Sequence, residues 1–136
     1  MKAKPSSKVI LSPVNFKANV QSRGFTYTID TAKEKGGGGT GPTPVEYFLS
    51  AIGGCVAITL RTYADKMEWD LGEITVNVTE DTKLTKQGIV KTIHEEILVE
   101  KNISDKQLEA LKEKAKSCPV AQMVKTPTDI IRTIKN

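Results

Sequence analysis

Two glycines side by side inside a strong helix signal constrain this chain more than any other feature. Apolar and small residues recur at helical spacing through Val45, Phe48, Leu49, Ile52, Cys55, Val56, Thr59, Leu60, Tyr63 and Met67. Ahead of them, Thr43-Pro44-Val45-Glu46 fits a capping box, with Thr43 as N-cap, proline at the first helical position and glutamate at the third. The spacing predicts a helix of about 24 residues, roughly 36 Å long. Gly53 and Gly54 sit in its middle, directly before Cys55. Each interior glycine costs about 1 kcal/mol relative to alanine, so something has to approach the backbone closely there. The helix is apolar around most of its circumference until Arg61, which predicts a central element covered on more than one side. A chain of 136 residues can hardly supply that cover alone, so a partner subunit is expected.

The rest of the chain reads as one domain, residues 1–136, with no linker and no internal repeat. Residues 1–8 read as loose. Val14 to Val20 and Phe25 to Asp30 carry strand patterns, and Gln21-Ser22-Arg23-Gly24 between them reads as a hairpin turn with Arg23 at its tip. Thr31 to Gly41 is a loop, lysine-rich and then glycine-rich. It lacks the Lys-Ser or Lys-Thr that would follow the glycines of a phosphate cradle. Glu73 to Thr79 alternates as a strand, a polar turn spans Glu80 to Gly88, and Ile89 to Glu100 pairs back as a long hairpin. Ser104-Asp105-Lys106-Gln107 is a second capping box, followed by a stripe of Leu108, Leu111, Ala115 and Cys118. Pro119 stops that helix and opens a short turn with Cys118 as N-cap. Thr128 to Ile134 is apolar enough for a last strand or short helix. The order β-β-α-β-β-α-(β), with mainly antiparallel pairing, is α+β.

Composition excludes several classes. Twenty basic residues interleave with sixteen acidic ones and aromatics make up 5%, so no basic block or stacking set points to nucleic acid. No uninterrupted apolar run reaches the ~18 residues of a membrane span. The basic N-terminus is not followed by the apolar core of a signal peptide, and a cytoplasmic location is expected. His94 is the one histidine, on the more polar face of its strand, and no metal-ligand spacing occurs, so neither metal nor cofactor is expected.

The chemistry therefore rests on the two cysteines. A mid-helix cysteine is commonly a small hydrophobe, and Cys118 on a helix stripe reads the same way. The functional alternative needs access and a thiolate. Gly53 and Gly54 would open access beside the Cys55 sulfur, while Cys118 lies where the next helix begins. In a reducing compartment two such thiols are reactive more often than permanently bridged. They could meet across the core in a thiol–disulfide cycle. Lys116, two positions from Cys118, does not face it on a helix. Glu46 stands nine positions from Cys55, which places it on the other side of an ideal helix.

Gly39-Thr40-Gly41-Pro42-Thr43-Pro44-Val45-Glu46-Tyr47-Phe48-Leu49-Ser50-Ala51-Ile52-Gly53-Gly54-Cys55, together with Cys118-Pro119-Val120, resembles the OsmC/Ohr family of thiol peroxidases. The resemblance implies an intertwined homodimer in which antiparallel sheets from both subunits wrap long central cysteine-bearing helices. It implies Cys55 as the peroxidatic cysteine, attacking an organic hydroperoxide, and Cys118 as the resolving cysteine, closing a disulfide that a dithiol reduces. It also assigns a stabilising arginine from an N-terminal loop, for which Arg23 is the candidate, and a glutamate just after the proline at the helix start. Val45 holds that place here and Glu46 follows one step later, a pattern closer to the broader OsmC-like branch. The alternative within the resemblance is a non-enzymatic protein that binds a small ligand or senses redox state through the same thiols.

Overall fold

The computed structural model describes residues 4–136. The chain packs as two compact units, one up to Phe48 and one from Leu49 onward.

In the first unit, β1 (Lys8–Leu11), β2 (Ala18–Ser22) and β3 (Phe25–Ile29) form an antiparallel sheet in that order. β1 is a strand that the sequence reading did not assign and that takes in only Lys8 of the segment read as loose; residues 4–7 carry no regular structure, and residues 1–3 lie outside the described residues. The run expected from Val14 begins only at Ala18, because Pro13 precedes it and its first residues turn, the Val14 amide donating to Ser12 Oγ and the Lys17 amide to Asn15 Oδ1. β2 and β3 meet at Arg23 and Gly24, with φ of 51° and 83°. Two successive positive φ values make the two-residue turn whose twist suits a hairpin.

The glycine-rich loop folds around one carboxylate. Asp30, 2% exposed, accepts hydrogen bonds from the amides of Thr31 (2.7 Å), Gly38 (3.4 Å) and Thr40 (3.0 Å) and from the Thr40 hydroxyl (2.6 Å). Those bonds hold its carboxyl at about 2, the Thr40 hydroxyl contributing most. Gly37 is required sterically, since a Cβ there would lie 1.9 Å from the carbonyl oxygen of Thr31. The Asp30 amide in turn donates to Pro42 O at 3.1 Å, and the Tyr47 hydroxyl donates to Thr28 O at 2.6 Å. Sheet, loop and helix start are thereby tied together within this unit.

Helix α1 (Pro44–Lys66) begins as its capping box dictates. The Thr43 amide donates to the Glu46 carboxylate at 2.9 Å, and the Glu46 amide donates to the Thr43 hydroxyl at 3.3 Å. By length and composition alone these twenty-three residues are long and apolar enough to cross a membrane, a test that the core helix of a water-soluble protein passes as well. One stripe of the helix is buried: Ile52, Gly53, Val56, Leu60 and Ala64.

In the second unit, β4 (Ile74–Thr85) and β5 (Gly88–Val99) form a two-stranded antiparallel ribbon in register from Ile74↔Val99 to Thr85↔Gly88. β4 runs on past Thr79 to Thr85, further than the alternation predicts, while β5 keeps its expected bounds to within one residue, leaving only Lys86 and Gln87 as the turn. α2 (Asp105–Ala115) carries the second capping box as expected, and α3 (Pro119–Lys125) has Cys118 as its N-cap. The core gathers Val56, Leu60 and Ala64 of α1 with Leu71, Leu111, Ala115 and Cys118. Each large side chain buried here is worth about 1.5–3 kcal/mol. Leu108, expected on the buried stripe, is instead 46% exposed. No strand or helix forms after Lys125, and Ile130, Ile131 and Ile134 are all exposed.

Candidate functional site

The two cysteines meet inside the second unit. Cys118 is completely buried and has the partly buried Cys55 as a side-chain hydrogen-bond partner. Both thiols are free. The local causes are visible in each case. Cys118 is carried inward because Leu111 and Ala115 precede it on the buried stripe of α2 and Pro119 ends that helix. Burial pushes the Cys118 thiol up from its ordinary value of 9.0, and the neighbouring Cys55 side chain adds to the rise. The amides of Ala121 and Val120 at the start of α3 pull weakly the other way, short of capping bonds.

The Gly53-Gly54 pair divides into two jobs. Gly53 is buried against the ribbon: a Cβ there would lie 3.0 Å from Val78 Cγ2 and 3.7 Å from Val76 O. It lets β4 approach α1, and so does not open a path to the sulfur as the sequence suggests. Gly54 has nothing within 4 Å of where its Cβ would be. It faces a cavity of about 660 Å³ that also takes in Cys55, Ile58, Thr59 and Tyr63. That volume falls in the range of small-molecule sites.

Two cations that sequence reasoning missed line the same cavity, Lys66 and Lys114. The signal for Lys66 was present: Cys55, Thr59, Thr62 and Lys66 follow at intervals of four, three and four, which is one helix face. Lys114 could not be found this way, because it arrives from α2. Its Nζ lies 5.6 Å from the Tyr63 ring centroid, and Tyr63 packs edge-on against Trp69 at 5.5 Å. Lys116 is paired with Glu113 at 2.8 Å and has no part in the cavity, in keeping with its sequence reading.

Arg23 and Glu46 belong to the first unit. Arg23 is exposed at the hairpin tip, its guanidinium 5.3 Å from the Phe25 ring centroid. Glu46 serves the capping box, and the Thr43 amide followed by the Thr43 hydroxyl holds its carboxyl below the ordinary range. His94 stands exposed on β5 opposite Thr79.

A family model described as OsmC-like protein matches residues 36–132. No curated protein matches the chain. Among solved structures, an organic hydroperoxide resistance protein OsmC from Legionella pneumophila is 17% identical with a TM-score of 0.68, over 90% of this chain and 89% of that one. An OsmC like protein from Mycoplasma pneumoniae is 20% identical with a TM-score of 0.70, over 92% and 89%. An organic hydroperoxide resistance protein from Elizabethkingia anophelis, solved with thiocyanate bound, is 16% identical with a TM-score of 0.70, over 91% and 89%. At these identities the likeness establishes the fold: α+β, antiparallel sheets and three helices of the OsmC/Ohr kind.

Proposed function

Because the chain belongs to the OsmC-like family, we propose that it is a cysteine-based peroxidase for organic hydroperoxides, with Cys55 as the attacking and Cys118 as the resolving sulfur. The observation that carries this reading is the contact of a buried Cys118 with a Cys55 that lines an open, largely apolar cavity. Solved relatives named for organic hydroperoxide resistance support the same class.

The steps balance as follows. The Cys55 thiolate attacks one oxygen of the O–O bond; an S–O bond forms, the O–O bond breaks, and the alkoxide leaves and takes a proton to become the alcohol. Cys55 is then a sulfenic acid. The Cys118 thiol gives up its proton and attacks that sulfur, forming the disulfide and releasing water. An external dithiol returns two electrons by exchange and is itself oxidised. By family resemblance Arg23 is the candidate for stabilising charge during the attack, and Glu46 is either a second such group or a helix cap only; replacing Arg23 should lower turnover in a protein that still folds.

The active form in this reading is a cytoplasmic homodimer. Phe48 and Ile58 on α1 and Met67 just past its end are 46%, 69% and 46% exposed, and the terminal isoleucines are more so. Apolar side chains in such number call for cover, and a second copy supplies it. Since the family model runs through the boundary between the two units, both are taken as parts of one domain.

Mixing the reduced protein with cumene hydroperoxide and a dithiol should consume peroxide over many turnovers. Cys55→Ser should abolish it, and Cys118→Ser should let a sulfenic acid accumulate for trapping. A single stoichiometric burst with every dithiol tried would overturn the enzymatic reading and leave a redox sensor or ligand-binding protein that uses the same thiols.

A further inference from the structure

The hydroxyl groups that line the cavity beside Cys55 are not equivalent. Thr62 Oγ1 donates to the carbonyl oxygen of Ile58 at 2.9 Å, and Ser117 Oγ donates to that of Lys114 at 2.7 Å. Ser50 is engaged as well. A mid-helix threonine can turn its hydroxyl back to the carbonyl four residues before it, as Thr62 does. Half-buried Thr59 has the same option at the carbonyl of Cys55, yet its hydroxyl makes no hydrogen bond among the described residues.

Thr59 also stands where a reacting oxygen would need a donor. It follows Cys55 by one helical turn on the same face of α1, and both line the cavity. Helical side chains lean toward the N-terminus, so Thr59 lies over the turn that carries the sulfur. Cβ atoms at this spacing are about 5–6 Å apart, which leaves room for one peroxide oxygen at the sulfur and the other at the hydroxyl. The remaining donors stand further along: Tyr63 is one turn beyond Thr59, Lys66 is about three turns from Cys55, and Lys114 is seated over the Tyr63 ring.

We propose that Thr59 is the hydrogen-bond donor to the leaving oxygen when Cys55 attacks a hydroperoxide. The inference rests on the peroxidase reading for Cys55 as the attacking sulfur. As the thiolate forms its S–O bond and the O–O bond breaks, negative charge gathers on the carbon-bearing oxygen. The Thr59 hydroxyl donates to that oxygen and keeps its own proton; the alkoxide takes a proton from water and departs as the alcohol. The hydroxyl matters most for alkyl hydroperoxides, whose alkoxide holds its charge on one oxygen. A peracid departs as a carboxylate, which spreads the charge over two oxygens and needs little help.

The attack step is read by itself, as the rate of Cys55 oxidation after one equivalent of peroxide, while peroxide consumption with a dithiol tests the peroxidase reading separately. Thr59→Val keeps the side-chain shape and removes the donor. It should slow oxidation by cumene and tert-butyl hydroperoxide by about tenfold to a hundredfold, and leave oxidation by peracetic acid and alkylation by iodoacetamide unchanged. Thr59→Ser should restore the alkyl hydroperoxide rates. A hydroxyl that serves packing, the thiolate or a contact with a second copy would instead move all four reagents together, and that outcome overturns the proposal. Equal rates for the native protein and Thr59→Val overturn it too, and leave the peroxidase reading standing if the native protein turns over. Selective slowing by alkyl hydroperoxides without turnover supports Thr59 and overturns the peroxidase reading. A native Cys55 inert to every peroxide overturns both.

Discussion

Cys118, with none of its surface exposed, has its thiol against Cys55, which borders open space. The pair is thus asymmetric: one sulfur reaches solvent and its partner does not. Burial holds Cys118 protonated at neutral pH, so in the proposed cycle ring closure should be slower than attack and should accelerate as pH rises toward the raised Cys118 value. Stopped-flow measurement of disulfide formation after one equivalent of peroxide, from pH 6 to pH 10, reads this directly. A closure rate flat across that range would sink the assignment of Cys118 as the slow partner.

The same shift sets a sign for stability. Below the free thiol's value of 9.0 the folded and unfolded chains both keep the Cys118 proton. Above it the unfolded chain loses the proton first, so stability falls as pH climbs from there through the folded value. Cys118→Ser should remove that alkaline loss. Denaturant midpoints of the two proteins at pH 8 and pH 10 make the comparison.

Gly53 and Gly54 should respond oppositely to alanine. At Gly54 a methyl meets nothing, so Gly54→Ala should stabilise the helix by about 0.5–1 kcal/mol. It also fills space beside Cys55, so turnover of bulky peroxides should fall. At Gly53 the same methyl presses on Val78, and the helical gain should be offset or reversed. Thermal melts that show both variants stabilised equally would contradict the division of roles.

Thr43 and Glu46 separate capping from catalysis. Thr43→Ala should destabilise by about 1 kcal/mol through loss of the cap. Glu46→Gln preserves a side-chain oxygen to accept from the Thr43 amide, so the fold should hold. Any fall in peroxide turnover in Glu46→Gln at unchanged melting temperature then belongs to chemistry. If turnover is unaltered, the glutamate is a cap alone.

Around Asp30, Gly37→Ala should cost several kcal/mol, since the clash is with backbone that cannot move aside. Asp30, whose carboxyl is held at about 2, adds stability above its ordinary 3.8 that fades as pH falls from there toward 2. Asp30→Asn should flatten the acid limb of a melting-temperature profile between pH 5 and pH 2.

Local chemistry was legible in the sequence wherever neighbours in the chain decide the outcome. Both capping boxes, the Arg23-Gly24 turn and the N-cap place of Cys118 follow from residues within four positions of one another. The long hairpin was legible too, although β4 extends past the clean alternation because pairing with β5, not side-chain pattern, sustains it. What escaped depended on distant partners. Lys8–Leu11 became a strand because β2 offers it an edge. Lys114 joined the cavity because Leu111 and Ala115 of α2 share a buried core with α1. Gly53 and Gly54 looked alike until β4 lay against one and not the other. Asp30 gave no signal at all as a single acid at a strand end, because its four donors come from up to ten residues away.

The Asp30 loop has one more consequence. Successive backbone N–H groups in a glycine-rich turn make a concavity that attracts anions, and such loops elsewhere hold the phosphates of nucleotides. In this chain the guest is built in. A carboxylate tethered a few residues away is present at an effective concentration no free phosphate in a cell can match, and it stays ionised at every physiological pH. The loop is a receptor permanently occupied by its own ligand, and so acts as a latch on the start of α1 and not as a port for nucleotides.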